Sequence, residues 1–539
     1  MSTAWRSPTI LLATSLMAAT ACAGGDESAS STTTTSIALS TIPPTAATPT
    51  TTTTTPPPVI DPYSIPGWVA AENLLAGTTD WRIIDGPESP QRDTPLAWIE
   101  GYADTTSAHQ GQTVTLFVET PAETFRAQAF RMGWYGGAQA RLIWESPSVT
   151  GGLQGGYSYQ SATGMAEGLW APSLTFDITG EWPPGAYLLK LVSSGGGAHY
   201  VPLTIRHDAA AADLLFMSAV TTWQAYNPWG GCTLYQCFGR SEERADIVSF
   251  DRPYAYSYGQ GAADFTTHEV PLVSFIEELG LDVAYITNID LHREPLLASS
   301  RKTLISSGHD EYYSAAMRAA LVDALAVGSN MAFFGANAIY RNIRLEPSDS
   351  GTTDRRVANY RRASDPGASD DPQTVTVDWY KEPLNRNEAE IVGIEYGCAN
   401  VHADMQLVNT GNWVYEGTGA TDGQILVDLV GVEFDELAGK RHTAENLEIL
   451  AASPLVCGHV TYQQVTAYRS TPAGGGVFAA GTINWGCGLD GSCPGIERME
   501  VVRGVTANVL RAFAAGPAGA AHPSVGNVAH YRRLTHQQV

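Results

Sequence analysis

The chain has 539 residues, 44% of them hydrophobic, with 53 Gly and 31 Pro. That length exceeds one ordinary domain of roughly 100–200 residues, and that apolar fraction excludes wholesale disorder. Lys and Arg total 31 against 55 Asp and Glu, a net charge of −24, and such a polyanion is repelled by nucleic acid and by anionic headgroups.

Arg6 precedes an uncharged, mostly apolar run from Ser7 to Ala21. The run is too short for a membrane anchor and reads as a secretory signal. It ends Ala19-Thr20-Ala21-Cys22, which resembles the lipobox of bacterial lipoproteins, although Ala19 stands where Leu is commoner. The resemblance implies that residues 1–22 are a signal peptide and that Cys22 is acylated; ordinary cleavage nearby is the alternative. Two or three acyl chains would hold the protein on the outer face of the cell membrane. Residues 28–58 then hold 24 Ser, Thr or Pro in 31 positions. Such a segment buries too little apolar area to offset its ordering entropy, so 23–59 reads as a disordered linker. No later stretch reaches about 18 uncharged apolar residues, so no internal transmembrane helix is expected.

Residues 60–207 carry short runs with period-two alternation: 113–120, 124–134, 140–146, 174–178, 186–194 and 200–206, punctuated by Gly and Pro pairs. Strands with turns and no amphipathic helix predict a β-sandwich of immunoglobulin-like shape. Residues 208–516 alternate differently. Strands are expected at 213–220, 281–287, 302–307, 330–335, 447–453 and 476–482, and helices at 270–280, 314–328 and 498–515. The alternation predicts an α/β domain with a doubly wound, mostly parallel sheet, whose site lies beyond the carboxyl ends of the strands. Residues 517–539 read as a flexible tail.

Six cysteines follow Cys22: Cys232, Cys237, Cys398, Cys457, Cys487 and Cys493. An even number in an exported chain reads as disulfides. Proximity suggests Cys232–Cys237 and Cys487–Cys493, which leaves Cys398–Cys457. Zinc is disfavoured because no CxxC or HxxxH spacing exists.

Three segments place polar residues just past a strand: 221–240 after the first, 307–314 after 302–307, and 335–341 after 330–335. Each candidate residue has a plainer role. Tyr226 and Tyr235 fit as half-buried aromatics, His309 as a loop or core histidine, Glu311 as a helix cap and Asn337 as a turn residue. Together they make a stronger case, because the three loops should share one edge of the sheet.

The strings YNPWGGCTLY, SFDRPY, GHDEYYS, FFGANAIYR, VGVEFDEL and GTINW resemble the C-terminal region of the large subunit of N,N-dimethylformamidase, over roughly Asp213–Gly516. The resemblance implies an α/β domain with one mononuclear iron, ferric in character, held by Tyr226, Tyr235 and Glu311. Tyr254, Tyr256 and Tyr258 compete for the tyrosine positions. His309, Asn337 and Glu433 match polar positions around the metal. Phenolate and carboxylate are hard donors that suit ferric iron. Such a cation polarises an amide carbonyl and acidifies water, Glu433 or His309 can relay a proton, and Asn337 can hold the substrate or its oxyanion.

The expected activity is therefore iron-dependent hydrolysis of a linear, formamide-type C–N bond. The implied partners are a small amide, a membrane through the lipid anchor only, no nucleic acid and, left open, a second copy of the chain. One alternative is a non-catalytic surface lipoprotein that binds a ligand or a cell-wall glycan. A hydrolase of amidotransferase or esterase type is a further alternative, weakened by the lack of a G-x-S-x-G elbow.

Overall fold

The strand Leu214–Ser218 is buried at all five positions, as an apolar run must be when it has strands on both sides and cover on both faces. Val283–Thr287, at the end of the sheet, and Thr303–His309, Asn330–Ala336 and Gly476–Ala479 are also buried at every position. These five pair in parallel, in the order Val283–Thr287, Leu214–Ser218, Thr303–His309, Asn330–Ala336, Gly476–Ala479. The computed structural model describes residues 61–84, 97–362, 364–439 and 442–531, all within the compact unit Ile60–Val539. The expected signal peptide, Cys22 and the Ser/Thr/Pro linker lie outside the described residues.

The expectation of a mostly parallel sheet needs correction. Beyond Gly476–Ala479 the nine-stranded sheet continues antiparallel through Val460–Ser470, Ile425–Glu436 and Glu395–Gln406, and Glu448–Cys457 pairs with Val460–Ser470. The sheet is mixed. Three of these strands lay outside the sequence expectation, because they mix polar and apolar residues without a regular period. The helix Ala315–Ala326 begins as expected, with the Ser314 side chain capping the Met317 N–H at 3.3 Å; loss of such a cap costs about 1 kcal/mol.

In the N-terminal part the two runs expected at 113–120 and 124–134 are one strand, Thr113–Met132. Its first half pairs with Glu100–Ala103 and Leu174–Asp177, and its second half with Gly185–Ser193 and Ala140–Glu145. One shared strand thus serves both groups of an eight-stranded sheet, and a short helix, Trp68–Glu72, precedes it. As a whole the chain is mixed α and β and rich in sheet. Among the described residues no helix is long and apolar enough to cross a membrane.

The first sheet is tied to a helix of the second part by a buried ion pair. Arg131, on the long strand, donates to both oxygens of Glu277 at 2.9 and 2.6 Å, and Glu277 lies in the helix Val270–Glu278. Both side chains are fully buried. Tyr285 Oη and Asn73 Nδ2 also donate to Glu277, and Arg131 Nε reaches the Pro184 carbonyl. Every buried polar atom of the pair is thereby given a partner, as burial of charge demands.

Cys232–Cys237 and Cys487–Cys493 form as sequence proximity suggested, and Cys398–Cys457 is the pair that was left. The tail does not behave as expected. It stays packed as far as Tyr531: Ala518 is buried, its N–H donates to Asn330 Oδ1, Tyr468 Oη donates to the His522 carbonyl, and Val528 packs into the core. Small residues that read as loose in sequence are what a close backbone approach requires; a side chain on Gly519 would collide with the Gly475 carbonyl.

Candidate active site

Three neighbouring parallel strands end at one edge. Leu214–Ser218 leads into the short helix Val220–Tyr226, whose last residue is Tyr226. Thr303–His309 ends on His309 and is followed by Asp310 and Glu311. Asn330–Ala336 is followed by Asn337. A fourth element, Ile425–Glu436, delivers Glu433 from the antiparallel side.

The backbone there is bent to purpose. Gly308 has φ 65°, and a side chain on it would run into His268. Asn337 and Ile339 have φ of 51° and 61°. A β-branched residue in that region is strained, and such strain persists only where the surroundings enforce it. Here the Ile339 N–H donates to the Asp310 carbonyl at 3.0 Å, the Arg341 N–H to the Glu311 carbonyl at 2.9 Å, and the Asn337 N–H to Asp435 Oδ1 at 2.8 Å. The loop 337–341 is thereby laid along the segment that carries Glu311.

The side chains converge on one carboxylate. Tyr226 Oη donates to Glu311 Oε2 at 2.8 Å, and Tyr235 Oη donates to Glu311 Oε1 at 2.5 Å. The two phenol rings stack with centroids 4.7 Å apart. His309 Nε2 lies 3.5 Å from Glu311 Oε2 and 3.4 Å from Glu433 Oε2. Asn337 Nδ2 donates to Glu433 Oε2 at 2.7 Å and sits 3.2 Å from His309 Nε2. All six residues singled out in the sequence thus fall within one contact network. Tyr254 and Tyr258 lie elsewhere: Tyr258 Oη donates to Asp264, and Tyr254 packs against Trp223. Glu311 is not the helix cap, since Ser314 holds that position. Asn337 does sit in a left-handed turn, as its plainer role implied. The Cys232–Cys237 disulfide closes the loop that carries Tyr235.

Burial, and then the Glu311 charge, push the Tyr226 and Tyr235 phenols well above their usual range. Burial alone would lower His309, but the Glu433 and Glu311 charges outweigh it and its pKa ends above the ordinary value. Burial raises Glu433, opposed by the His309 charge. Sequence reading missed the two guanidiniums here. Arg341 Nε donates to Glu311 Oε1 at 3.0 Å and is also bonded to Asp378. Arg361 lies 4.2 Å over the Tyr235 ring and donates to Tyr312 Oη at 2.8 Å. Arg341 belongs to the FFGANAIYR string, but nothing in that string marks its contact with Glu311.

The donor set can be tested for fit to a metal. Two phenol oxygens and one carboxylate are held together by short O–H···O bonds, and the phenol protons are what a cation would displace. Such hard oxygen donors match a hard, highly charged ion. The Asn337 Oδ1 atom is buried and lacks a hydrogen-bond partner, as expected where a water or ligand group belongs. Among the described residues no group of three or more His, Cys, Asp or Glu has metal-binding geometry. The residues fit.

Behind the site lie further buried acids. Burial pushes Asp435 up to about 7 and Glu388 up to about 8. Glu388 accepts the Tyr396 N–H at 3.1 Å, and its other oxygen has no hydrogen-bond partner. The unfolded chain ionises these groups near pH 4, whereas the folded chain holds their protons to near neutrality. Their contribution to stability is therefore full below about pH 4 and falls as pH rises toward 8. Glu388→Gln removes one such group. Relative to the parent it should gain roughly 3 kcal/mol between pH 5 and pH 8, read from urea midpoints at the two pH values. Parallel midpoints would show that Glu388 ionises normally.

These features define a class first: a sheet-rich α and β protein with an oxygen-donor cluster beyond the carboxyl ends of its parallel strands. The family model described as N,N-dimethylformamidase beta subunit-like, C-terminal, matches residues 126–498, and the chain belongs to that family. The match starts inside the long strand of the first sheet and takes in all six site residues. No curated protein matches the chain. Among solved structures, the cycloisomaltooligosaccharide glucanotransferase of Paenibacillus sp., complexed with cycloisomaltoheptaose, aligns with 43% of this chain at 8% identity and a TM-score of 0.16. The alignment spans 44% of that enzyme, and so loose an overlap carries no argument about fold or function.

Proposed function

We propose that the protein is an iron-dependent hydrolase of linear, formamide-type amides, exported and held on the outer face of the membrane through Cys22. The observation that carries this reading is the convergence of the Tyr226 and Tyr235 hydroxyls on the two oxygens of Glu311, with Glu433, His309 and Asn337 alongside. Tyr226, Tyr235 and Glu311 would hold the iron. When bound, ferric iron supplies a positive charge that polarises an amide carbonyl, acidifies water and favours the phenolate form of both tyrosines.

The remaining work belongs to the chain's own side chains. Glu433, held by the Asn337 amide at 2.7 Å, takes a proton from water. His309, placed between Glu311 and Glu433, gives a proton to the departing amine nitrogen. Asn337 orients the amide, with Oδ1 open to an N–H or O–H of what binds. Burial of the cluster keeps bulk water from competing for these bonds.

Iron reconstitution tests the reading. The purified protein should take up about one iron per chain and acquire a visible tyrosinate-to-iron absorption band, with release of the phenol protons into weakly buffered solution. Chelation should bleach the band and stop amide hydrolysis together. A protein that stays colourless and metal-free would instead favour the non-catalytic surface lipoprotein.

A further inference from the structure

Three tyrosines stand in contact beside the carboxylate cluster, and the chemistry above uses none of them. The Tyr340 and Tyr380 ring centroids are 5.6 Å apart, and those of Tyr340 and Tyr396 are 5.2 Å apart. Tyr380 is 42% exposed, and Tyr340 and Tyr396 are half-buried. This wall is one side chain away from the site. The Arg341 guanidinium carbon lies 4.7 Å from the Tyr340 centroid and 5.8 Å from that of Tyr235, while its Nε binds Glu311. Tyr340 also lies on the clamped loop that presents Asn337. Tyr396 lies on the strand that pairs with the one bearing Glu433, and the Glu433 and Glu311 charges both act on its phenol.

The wall's own cations say what it does not take. Arg341 covers the Tyr340 ring and Lys381 lies 5.6 Å from the Tyr380 centroid, so the protein already supplies the cation–π partners. Both cations are in turn paired with Asp378. What remains is an aromatic surface with its flanking charges answered, which suits a flat, uncharged group.

We infer that Tyr340, Tyr380 and Tyr396 form an outer subsite for an uncharged aromatic or bulky apolar substituent of the amide, whose carbonyl end lies at Glu311, Glu433 and Asn337. The assignment rests on the function proposed above and narrows its substrate class: amides with a ring on one side, preferred over the smallest formamides.

The test compares two secondary formamides, N-benzylformamide and N-methylformamide, on the iron-loaded full-length protein, by KM and kcat and by calorimetric binding. In the parent, N-benzylformamide should bind more tightly. Tyr380→Ala should raise its KM and Kd roughly threefold to tenfold, the range of one aromatic contact, with kcat little changed and N-methylformamide unaffected. Tyr380→Phe should retain the parent's affinity, because the ring and not the hydroxyl makes the contact; this variant also separates lost stacking from a damaged fold. Equal effects on both amides, no effect on either, or no binding of N-benzylformamide would overturn the subsite. Tyr380-dependent binding of N-benzylformamide without hydrolysis would uphold the subsite and sink the hydrolase. Hydrolysis of N-methylformamide with no preference for the benzyl compound would do the reverse.

Discussion

Glu311→Gln is expected to abolish iron uptake and the visible absorption band, and with them amide hydrolysis. The fall in hydrolysis should exceed the roughly 10²–10³-fold that loss of a single electrostatic donor costs. The reason is that this one carboxylate organises the cluster. Its two oxygens accept from Tyr226, Tyr235 and Arg341. A glutamine there has no charge, and it offers one acceptor where two are needed. Its amide nitrogen would meet either a phenol or the Arg341 guanidinium as a competing donor. The fold should survive, because the helix that follows is capped by Ser314 and the Glu311 N–H is separately bonded to Thr222 Oγ1. Iron stoichiometry, the visible spectrum and far-UV circular dichroism on the same sample check this. Unchanged colour and stoichiometry in the variant would remove the basis for the metal site.

Arg131→Met should destabilise the protein by about 3–5 kcal/mol, the usual cost of leaving one half of a buried ion pair unpartnered. Glu277 would remain fully buried with Tyr285 and Asn73 as its neutral donors, too few to balance a desolvated charge. Because the pair joins the first sheet to the helix Val270–Glu278, the loss should appear as an early transition in urea unfolding followed by tryptophan fluorescence. Adding Glu277→Leu to Arg131→Met should restore part of the stability, since removing both charges takes away the desolvation cost. A single variant with the parent's midpoint would show that the first sheet and this helix are held together by apolar contact instead.

Much of the molecule was legible beforehand where local pattern decides structure. The parallel strands are largely apolar runs, Ser314 announces its helix, and two of the three disulfides join cysteines that are near neighbours in sequence. Other elements were not. Thr113–Met132 read as two strands because ETPAE, which includes Pro121, interrupts the apolar run, yet the chain stays extended through it and serves two sets of partners. The strand that carries Glu433 has no clean period, since bulges shift its register against Glu395–Gln406. Arg341 and Arg361 gave no local sign of their role, because the contacts with Glu311 and with the Tyr235 ring join residues distant in sequence.

By itself the sequence determined the kind of elements in the central sheet's parallel half, the two short-range disulfides and the chemical types gathered at the strand ends. Side-chain period, caps and turn residues act over a few positions, and a linear string records such short-range forces directly. Tertiary structure alone decided that Tyr226 and Tyr235, not Tyr254 or Tyr258, meet Glu311, that Asn337 Oδ1 is left without a partner, and that three tyrosines line up beside the carboxylates. Those outcomes depend on how twisted strands and strained turns aim side chains across tens to more than two hundred positions of chain, and packing of the whole core selects that aim.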